Sequence, residues 1–471
     1  MSKKKFFILL LLSFLATLLV FNSVRKMLMG NKKKAKQEVP TEVYYAEHIA
    51  PILTNHCIKC HRPNGAAPFA LTNYNEVFRK KKTIKKVVEQ NIMPPWPADP
   101  NYTHFLDENV LSNQEKQLIY TWIEQGAREG DVKKMPEIPQ FSDVSFLGKP
   151  DLTVYMDSFL VKGDNLDKFF VVKTPIEIPR DTYVRAIEFV PNKNQLVHHL
   201  NGYLYNYDFD KKNNVNDGIR IADEELHPEE RMAEMALLKI HNDDGSMPEV
   251  VKSAVNYLPG VFGTIYPEGI GGFKLNRKAV LVANDLHYAP VQKDLWDYSH
   301  YNIFYSKTPP GRPTKEITLG SNGAAPVYPQ LIIPPDTVMT FTTQFRVAAD
   351  ISILTINPHM HLLGKHFLAY AITPQKDTIK LIRINRWDFR WQYFYTFPTM
   401  VKIPAQSVIK VEATFDNTIA NKNNPNNPPK TVKARFDLDG IGMRTTDEMF
   451  QFIITYLDYK KGDEAVSLKV E

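Results

Sequence analysis

The chain has only two cysteines, Cys57 and Cys60, and both belong to one short motif. No other cysteine can pair with them, so disulfides contribute nothing to the stability of the rest of the chain. At 471 residues the chain is too long for one ordinary domain. We therefore expect two or three domains held by hydrophobic cores, for which a hydrophobic content of 43% is ample. The net charge of +6 is modest and indicates no nucleic-acid partner.

The N-terminus has the pattern of an export signal. Lys3, Lys4 and Lys5 precede an apolar run from Phe6 to about Val24, which is typical of a secretory n-region and h-region. The run is near the lower limit for spanning a bilayer, roughly 17 to 20 residues. We expect residues 1–30 to be a signal anchor that holds the protein at the inner membrane, in the bacterial periplasm, or else a cleaved signal peptide. Lysines beyond the run oppose this orientation under the positive-inside rule.

Residues 57–61 form the sequence C-x-x-C-H. Two thiols three residues apart on a turn can form thioether bonds to both vinyl groups of a haem, and His61 can then bind the iron. The alternative is a zinc half-site or a redox C-x-x-C, but the export signal and the lack of a second cysteine pair favour one covalent haem c. Met93, which is followed by two prolines, is the best candidate for the opposite axial ligand, with Met135 and His104 as rivals. A thioether ligand raises the potential of the iron.

The residues around this motif have helical patterns. Ala46–Asn55 is a short amphipathic segment, and Asn75–Asn91 carries apolar residues at helical spacing. Ser112 and Glu115 predict a capping box that begins a third helix, which ends near Gly126. Short helices of this kind predict a small all-α domain over residues 43–130. Residues 131–149 contain two prolines and have the pattern of a linker.

From Pro150 onward the pattern changes to the alternation that is typical of strands. Examples are residues 152–156, 183–187 and 338–343. Turn residues separate these strands at intervals that suggest antiparallel sandwiches, and a helix-like segment, Glu224 to Ile240, interrupts them. We expect one sandwich over residues 150–310 and a second over residues 311–471, with the proline-rich Pro309–Pro313 as the boundary.

Five histidines in this β region form compact motifs. His359 and His361 are two residues apart, so on a strand both imidazoles face the same side and can converge on one metal. His198 and His199 are adjacent, so both can bind one ion only where a bulge or a strong twist breaks the regular strand. His287 is a third element of that site. Imidazole suits copper, zinc and iron alike, so the histidines alone do not choose the metal.

The residues around these histidines resemble the ascorbate-dependent type II copper monooxygenases, whose best-known members are peptidylglycine α-hydroxylating monooxygenase and dopamine β-monooxygenase. The first copper domain of that family is matched by His198-His199-Leu200, Leu258-Pro259-Gly260, Tyr266-Pro267-Glu268-Gly269 and Asp285-Leu286-His287-Tyr288. The second is matched by Pro358-His359-Met360-His361-Leu362-Leu363-Gly364, Trp387-Asp388-Phe389-x-Trp391-Gln392, Asp416-Asn417-x-x-x-Asn421 and Thr446-Asp447-Glu448-Met449. The likeness covers roughly residues 180–460, and residues 57–126 resemble the small cytochrome c domains fused to bacterial copper oxygenases.

The resemblance implies a complete architecture and two copper sites. The chain would be multidomain, with an N-terminal membrane anchor, a small all-α cytochrome c domain and two antiparallel, jelly-roll-like β-sandwich copper domains. The electron-transfer copper would be held by His198, His199 and His287, and the oxygen-activating copper by His359, His361 and Met449. A soft thioether at Met449 favours Cu(I), the state that binds oxygen.

The resemblance also implies an activity, namely hydroxylation of a substrate C–H with O2. We expect the haem at His61 to supply the electrons that ascorbate supplies in the animal enzymes, fed by a periplasmic or membrane donor. Fusion of donor and oxygenase raises the effective concentration of the reductant. The alternatives are a non-catalytic periplasmic electron-transfer or copper-binding protein, and a site filled by iron or zinc.

The sequence departs from the family at the positions that recognise a peptide carboxylate. The amidating enzyme has an arginine two residues before His-x-His, and an asparagine and a tyrosine just after the methionine. Here those positions are Asn357, Gln451 and Ile453. The organic substrate is therefore not expected to be a peptide with a C-terminal glycine.

Overall fold

The computed structural model describes residues 40–141, 145–208, 210–223, 228–259, 263–434 and 446–470. The predicted signal segment, residues 1–30, lies outside the described residues. Within those ranges no helix is both long and apolar enough to cross a membrane.

The helices of the N-terminal part are short and their ends are defined by side chains. After one π-helical turn (Tyr45–Ile49) come three α-helices, which are α1 (Ala50–His56), α2 (Tyr74–Glu89) and α3 (Asn113–Glu124). The Asn73 side chain caps α2, and the predicted capping box of Ser112 and Glu115 is confirmed at the start of α3. The apolar faces of these helices pack around Trp122, which is fully buried.

The predicted fold class is wrong. The structure is mostly β-sheet, with 37% strand and only 13% helix, and its described residues contain no small all-α domain. The reason lies in the irregular residues between α2 and α3. Trp96, Ala98 and Phe105 pack in the largest core of the β region instead of among the helices, and Ala98 forms a β-bridge with Ile384. Helical periodicity reveals helices, but it does not reveal where the apolar side chains of a connecting loop are buried.

The first group of strands forms two main antiparallel sheets with a core between them. The described strands are β1 (Leu152–Tyr155), β2 (Phe159–Val161), β3 (Lys168–Glu177), β4 (Thr182–Val190), β5 (Val197–Tyr207), β6 (Ile221–Asp223), β7 (Glu249–Tyr257), β8 (Phe273–Leu275), β9 (Lys278–Tyr288), β10 (Leu295–Asp297) and β11 (His300–Ser306). One sheet has the order β6-β3-β9-β5-β7 and the other β1-β11-β4-β8, with β10-β2 as a separate pair. A fourth α-helix, α4 (Pro228–Leu237), lies between β6 and β7.

The second group repeats this plan. Its described strands are β12 (Lys315–Gly320), β13 (Ile332–Ile333), β14 (Val338–Arg346), β15 (Ile351–Met360), β16 (Gly364–Ile372), β17 (Thr378–Ile384), β18 (Tyr395–Ile403), β19 (Val408–Asp416), β20 (Val432–Lys433) and β21 (Phe450–Asp458). The sheets β12-β21-β15-β18 and β14-β19-β16-β17 enclose the largest core. The two groups are in contact, because the Tyr266 hydroxyl hydrogen-bonds to that of Thr355 at 2.7 Å.

Truncation of Phe105 tests where the 94–106 segment is buried. The Phe105 ring is 5% exposed and its centroid lies 4.9 Å from that of Tyr395 and 5.1 Å from that of Phe397. We expect Phe105→Ala to lower the free energy of unfolding of the β region by about 3–5 kcal/mol. Phe78→Ala, on the exposed side of α2, should cost under about 1 kcal/mol. Denaturant unfolding followed by tryptophan fluorescence makes the measurement, and equal effects of the two changes would contradict the assignment.

Candidate metal centre

The backbone of the first histidine cluster is set by the pairing of β5 with β9. His199 lies directly opposite His287 in these central strands, and residues directly opposite in an antiparallel pair share a face. The register shifts between Val197 and His199, so that His198 is an extra residue on β5. This is the bulge that the adjacent histidines require.

The three rings of this cluster converge. Ring centroids of His198 and His287 are 4.8 Å apart, and those of His199 and His287 are 5.0 Å apart. One ligand atom from each of the three lies within 4.8 Å of the others. On the other side of His287 the Phe169 ring stacks at 4.1 Å, which fixes the plane of the imidazole.

Hydrogen bonds determine which ring nitrogen of His199 and which ring nitrogen of His287 faces the centre of the cluster. His199 Nε2 bonds to Asp285 at 2.7 Å, and His287 Nε2 bonds to Asp167 at 2.6 Å. The Nδ1 atoms of these two rings face each other at 3.4 Å. His198 Nδ1 is buried and has no hydrogen-bond partner. The Nδ1 atoms of His199 and His287 therefore face the centre of the cluster, to which His198 also offers a ring nitrogen.

This arrangement fits a metal ion. Two imidazole nitrogens bound to one ion at about 2.0–2.1 Å lie about 3.3–3.6 Å apart at tetrahedral to trigonal angles, and the observed separation is 3.4 Å. Metal-binding histidines usually donate the other ring N–H to a carboxylate, as His199 and His287 do here. Burial lowers the pKa of His198 to about 3 and also lowers that of His287, which keeps both imidazoles neutral and able to bind a metal.

The second site lies at the end of β15. The His359 and His361 ring centroids are 5.1 Å apart, while Met360 points into the opposite core and is fully buried. His359 pairs with Gln451 and Met360 with Phe450. One further step in this register places Met449 opposite His361, on the face that carries both histidines. Met449 is 5% exposed.

Buried polar groups hold this second set in position. His361 Nδ1 donates to the Asp447 carbonyl at 3.0 Å, which orients the ring. The Glu448 carboxylate accepts from the backbone N–H groups of His361 and Leu363, at 3.0 Å and 2.6 Å. Burial raises the pKa of Glu448 to about 8. Burial also lowers the pKa of His359 to about 3, and the neighbouring Gln392 side chain acts in the opposite direction.

The Phe389 ring lies between the two histidine sites. Its centroid is 6.3 Å from that of His198, 6.3 Å from that of His199 and 5.7 Å from that of His361. The rings of His198 and His361 are thus no more than about 12 Å apart, centre to centre. The two β regions bring both sites to one junction.

The C-x-x-C-H motif forms a tight turn after α1. The His61 N–H donates to the Cys57 carbonyl at 2.9 Å, and both thiols are free and half-buried. His61 Nδ1 donates to the Phe69 carbonyl at 2.9 Å, so Nε2 is left for a ligand. Two free thiols and one oriented imidazole on a single turn fit the attachment of a haem c.

The three candidates for the axial haem ligand opposite His61 have different surroundings in the structure. Met93 is half-buried just after α2, and its N–H donates to the Val87 carbonyl at 3.2 Å. Met135 packs against the core of the helices. His104 is exposed and pairs with Glu108 at 3.0 Å. Met93 stays the predicted ligand, although no measured contact joins it to His61.

The haem-attachment turn lies against both β regions. The Asn194 side chain, in the loop before β5, donates to the Asn64 carbonyl at 2.9 Å. Burial raises the pKa of Tyr257 and of Tyr393, and the Cys60 thiol is close enough to raise both further. Tyr257 belongs to the first group of strands, whereas Tyr393 precedes β18 of the second.

The positions that replace the family's carboxylate-recognising residues are already engaged. The Asn357 amide donates to the carbonyls of Gln392 and Tyr393, at 3.0 Å and 2.9 Å. The Gln451 amide donates to the Ser321 carbonyl at 2.7 Å. Ile453 has no polar group to offer.

Several supporting residues escaped the sequence analysis, although some had a usable signal. Asp285 precedes His287 by two residues on one strand, so it shares the face of that histidine. Asp167 is distant in sequence and carries no such signal. Gln392, Glu448 and Phe389 lie within motifs that the resemblance singled out, but their contacts depend on the packing of the chain.

Comparison with known proteins adds no family to this picture. No protein-family model and no curated protein matches the chain. Two solved structures show weak similarity to this chain. They are the structure of infectious bursal disease virus Gt strain and that of the infectious bursal disease virus VP2 subviral particle, each with 11% sequence identity and a TM-score of 0.15. The alignments cover 67% and 68% of this chain and 74% of each viral chain. A TM-score this low supports no statement about fold or function.

Loss of the carboxylate partners tests whether the first cluster binds a metal. We expect Asp285→Asn and Asp167→Asn each to weaken copper binding by about 10–100-fold, because the imidazoles lose the charge that orients them and raises their basicity. Asp164→Asn is the matched control, since Asp164 pairs with Lys168 in the same loop. Competition titration of copper makes the measurement, and unchanged affinity in both variants would show that the cluster is not a metal site.

Proposed function

We propose that this protein is a copper-dependent monooxygenase that hydroxylates a C–H bond of an organic substrate with O2 and takes electrons through a covalent haem. The observation that carries the proposal is the position of Phe389, which packs against histidines of both sites. Two metal-ligand sets from separate β regions thereby meet at one junction, and the C-x-x-C-H turn lies against the same two regions.

The protein contributes the ligands and their orientation. His198, His199 and His287 hold one ion, and Asp285 and Asp167 fix the latter two rings. A second ion is held by His359, His361 and Met449, where Glu448 fixes the backbone at His361. The thioether would favour the reduced metal, and His361 and Met449 are buried.

Copper bound by His359, His361 and Met449 would supply the reaction with O2, and copper bound by His198, His199 and His287 would supply the second electron. For each substrate R–H, one O2, two electrons and two protons give R–OH and one water. Because the site requires two electrons from outside the substrate, a one-electron carrier on the same chain suits the reaction. Cys57, Cys60 and His61 hold that carrier, which a donor in the periplasm reduces.

The engaged amides of Asn357 and Gln451 bear on the substrate. Both donate to backbone carbonyls, so neither is free to bind a carboxylate. The substrate is accordingly not a peptide with a C-terminal glycine.

Copper content per haem tests the proposal. Exported protein, loaded with copper and dialysed, should hold about two coppers per haem, and His359→Ala with His361→Ala should reduce this to about one. His241→Ala with His366→Ala is the control, since both side chains are exposed and neither is a candidate ligand. The reduced protein should also consume O2, and the His359/His361 variant should not.

Other outcomes would contradict the proposal in distinct ways. Two coppers per haem without oxygen consumption would indicate a non-catalytic electron carrier. Iron or zinc at the histidines after growth with adequate copper would indicate another metal chemistry. Intact haem without bound copper would show that the protein is not a copper monooxygenase.

A further inference from the structure

One short segment of the chain, residues 387–393, contacts both histidine sites. Phe389 packs against the three rings described above. The Trp387 indole N–H donates to the His361 carbonyl at 3.2 Å, and the Gln392 side chain lies near His359. The segment therefore forms one wall of the junction between the sites.

The other end of the same segment contacts Pro95 and Trp96. These residues follow Met93, the predicted axial ligand of the haem, and belong to what is called here the haem-attachment region. The Trp391 and Tyr393 rings are stacked, with centroids 6.1 Å apart and planes within 9°. The Tyr393 hydroxyl donates to the Pro95 carbonyl at 3.0 Å, and its ring lies 5.6 Å from that of Trp96. Pro95 and Trp96 lie two and three residues after the predicted axial ligand Met93.

The segment is held at both ends. The Asn357 amide bonds to the carbonyls of Gln392 and Tyr393. Just before the segment, the Arg386 guanidinium donates to the carbonyls of Gln90 and Asn91, at 3.1 Å and 2.6 Å. These bonds fix the helical part of the chain against the segment that contacts the histidines.

We propose that residues 387–393 are the route by which electrons pass from the haem-attachment region to the two histidine sites, with the Trp391–Tyr393 stack as its central contact. The inference rests on the proposed function and specifies how its two redox parts are coupled. The transfer moves one electron: ferrous haem becomes ferric, a cupric ion at the histidines becomes cuprous, and no bond forms or breaks. An external one-electron donor reduces the haem.

A competing contact is less suited to this role. Asn194 contacts the haem-attachment turn through a hydrogen bond to the Asn64 carbonyl, and Asn64 is exposed while Asn194 is half-buried. Tyr257 lies near Cys60, but its ring packs on Phe189, away from the histidines. Among the described residues whose contacts are given above, only residues 387–393 contact both the histidine sites and the residues after Met93.

The test is the rate of internal electron transfer in the full chain carrying haem and copper. A sub-stoichiometric pulse of photogenerated one-electron reductant reduces the haem, and its ferrous absorbance and the cupric EPR signal are then followed. In the unaltered protein both should decay together, at a rate independent of protein concentration. We expect Trp391→Leu to slow this rate by an order of magnitude or more, and Trp391→Phe, which keeps an aromatic ring, to slow it less.

Phe397→Leu is the matched control. Phe397 also packs an aromatic ring against the segment between α2 and α3, but it contacts Phe105 and lies outside residues 387–393. Its transfer rate should equal that of the unaltered protein. The haem spectrum, haem potential and copper content should be the same in every variant, so that a change in rate reports the route and not a loss of structure.

The outcomes separate this inference from the proposed function. If Trp391→Leu and Phe397→Leu transfer electrons as fast as the unaltered protein, the route is wrong while the oxygenase stands. If the loaded, unaltered protein shows no internal transfer, the route is also wrong. Absence of haem or copper from the unaltered protein would overturn the proposed function itself, and the route with it.

Discussion

The register of two antiparallel strand pairs is the constraint on which the candidate centre depends. The pairing of β5 with β9 places His199 opposite His287, and one extra residue on β5 adds His198 to the same site. The pairing of β15 with β21 reaches His359 and Met360. Continued by one residue, this register places Met449 opposite His361, on the face of both histidines. A slip of one residue in either pair would turn the histidines to the opposite face of the sheet, so the cores that fix these registers also fix the ligands.

Burial gives the ligands their chemical character. Imidazoles inside a protein lose the solvation that stabilises their charged form, and the pKa values of His198 and His359 fall to about 3 as a result. Burial acts against ionisation of Asp285 too, but its contact with His199 lowers the pKa of this carboxyl to about 2. Neutral rings with a charged carboxylate behind one of them are suited to bind a cation between the strands.

The sequence predicted local features better than their long-range packing. The capping box at Ser112, the strand alternation at residues 183–187 and the shared face of His359 and His361 all follow from residues close together in the chain, and the structure has each of them. The fold class was wrong because Phe105 and Trp96 are buried against a sheet almost 300 residues later, which periodicity does not reveal. Asp167 and Phe389 were missed as partners for the same reason, since tertiary packing alone brings them to the histidines.

The central claim is that two metal sites from separate β regions face each other across Phe389. Diffraction from crystals of the copper-loaded protein, measured on both sides of the copper absorption edge, tests it most directly. The account predicts two anomalous peaks, one at the ring nitrogens of His198, His199 and His287 and one beside His359, His361 and Met449, with the Phe389 ring between them. A single peak, or two peaks without Phe389 between them, would contradict it.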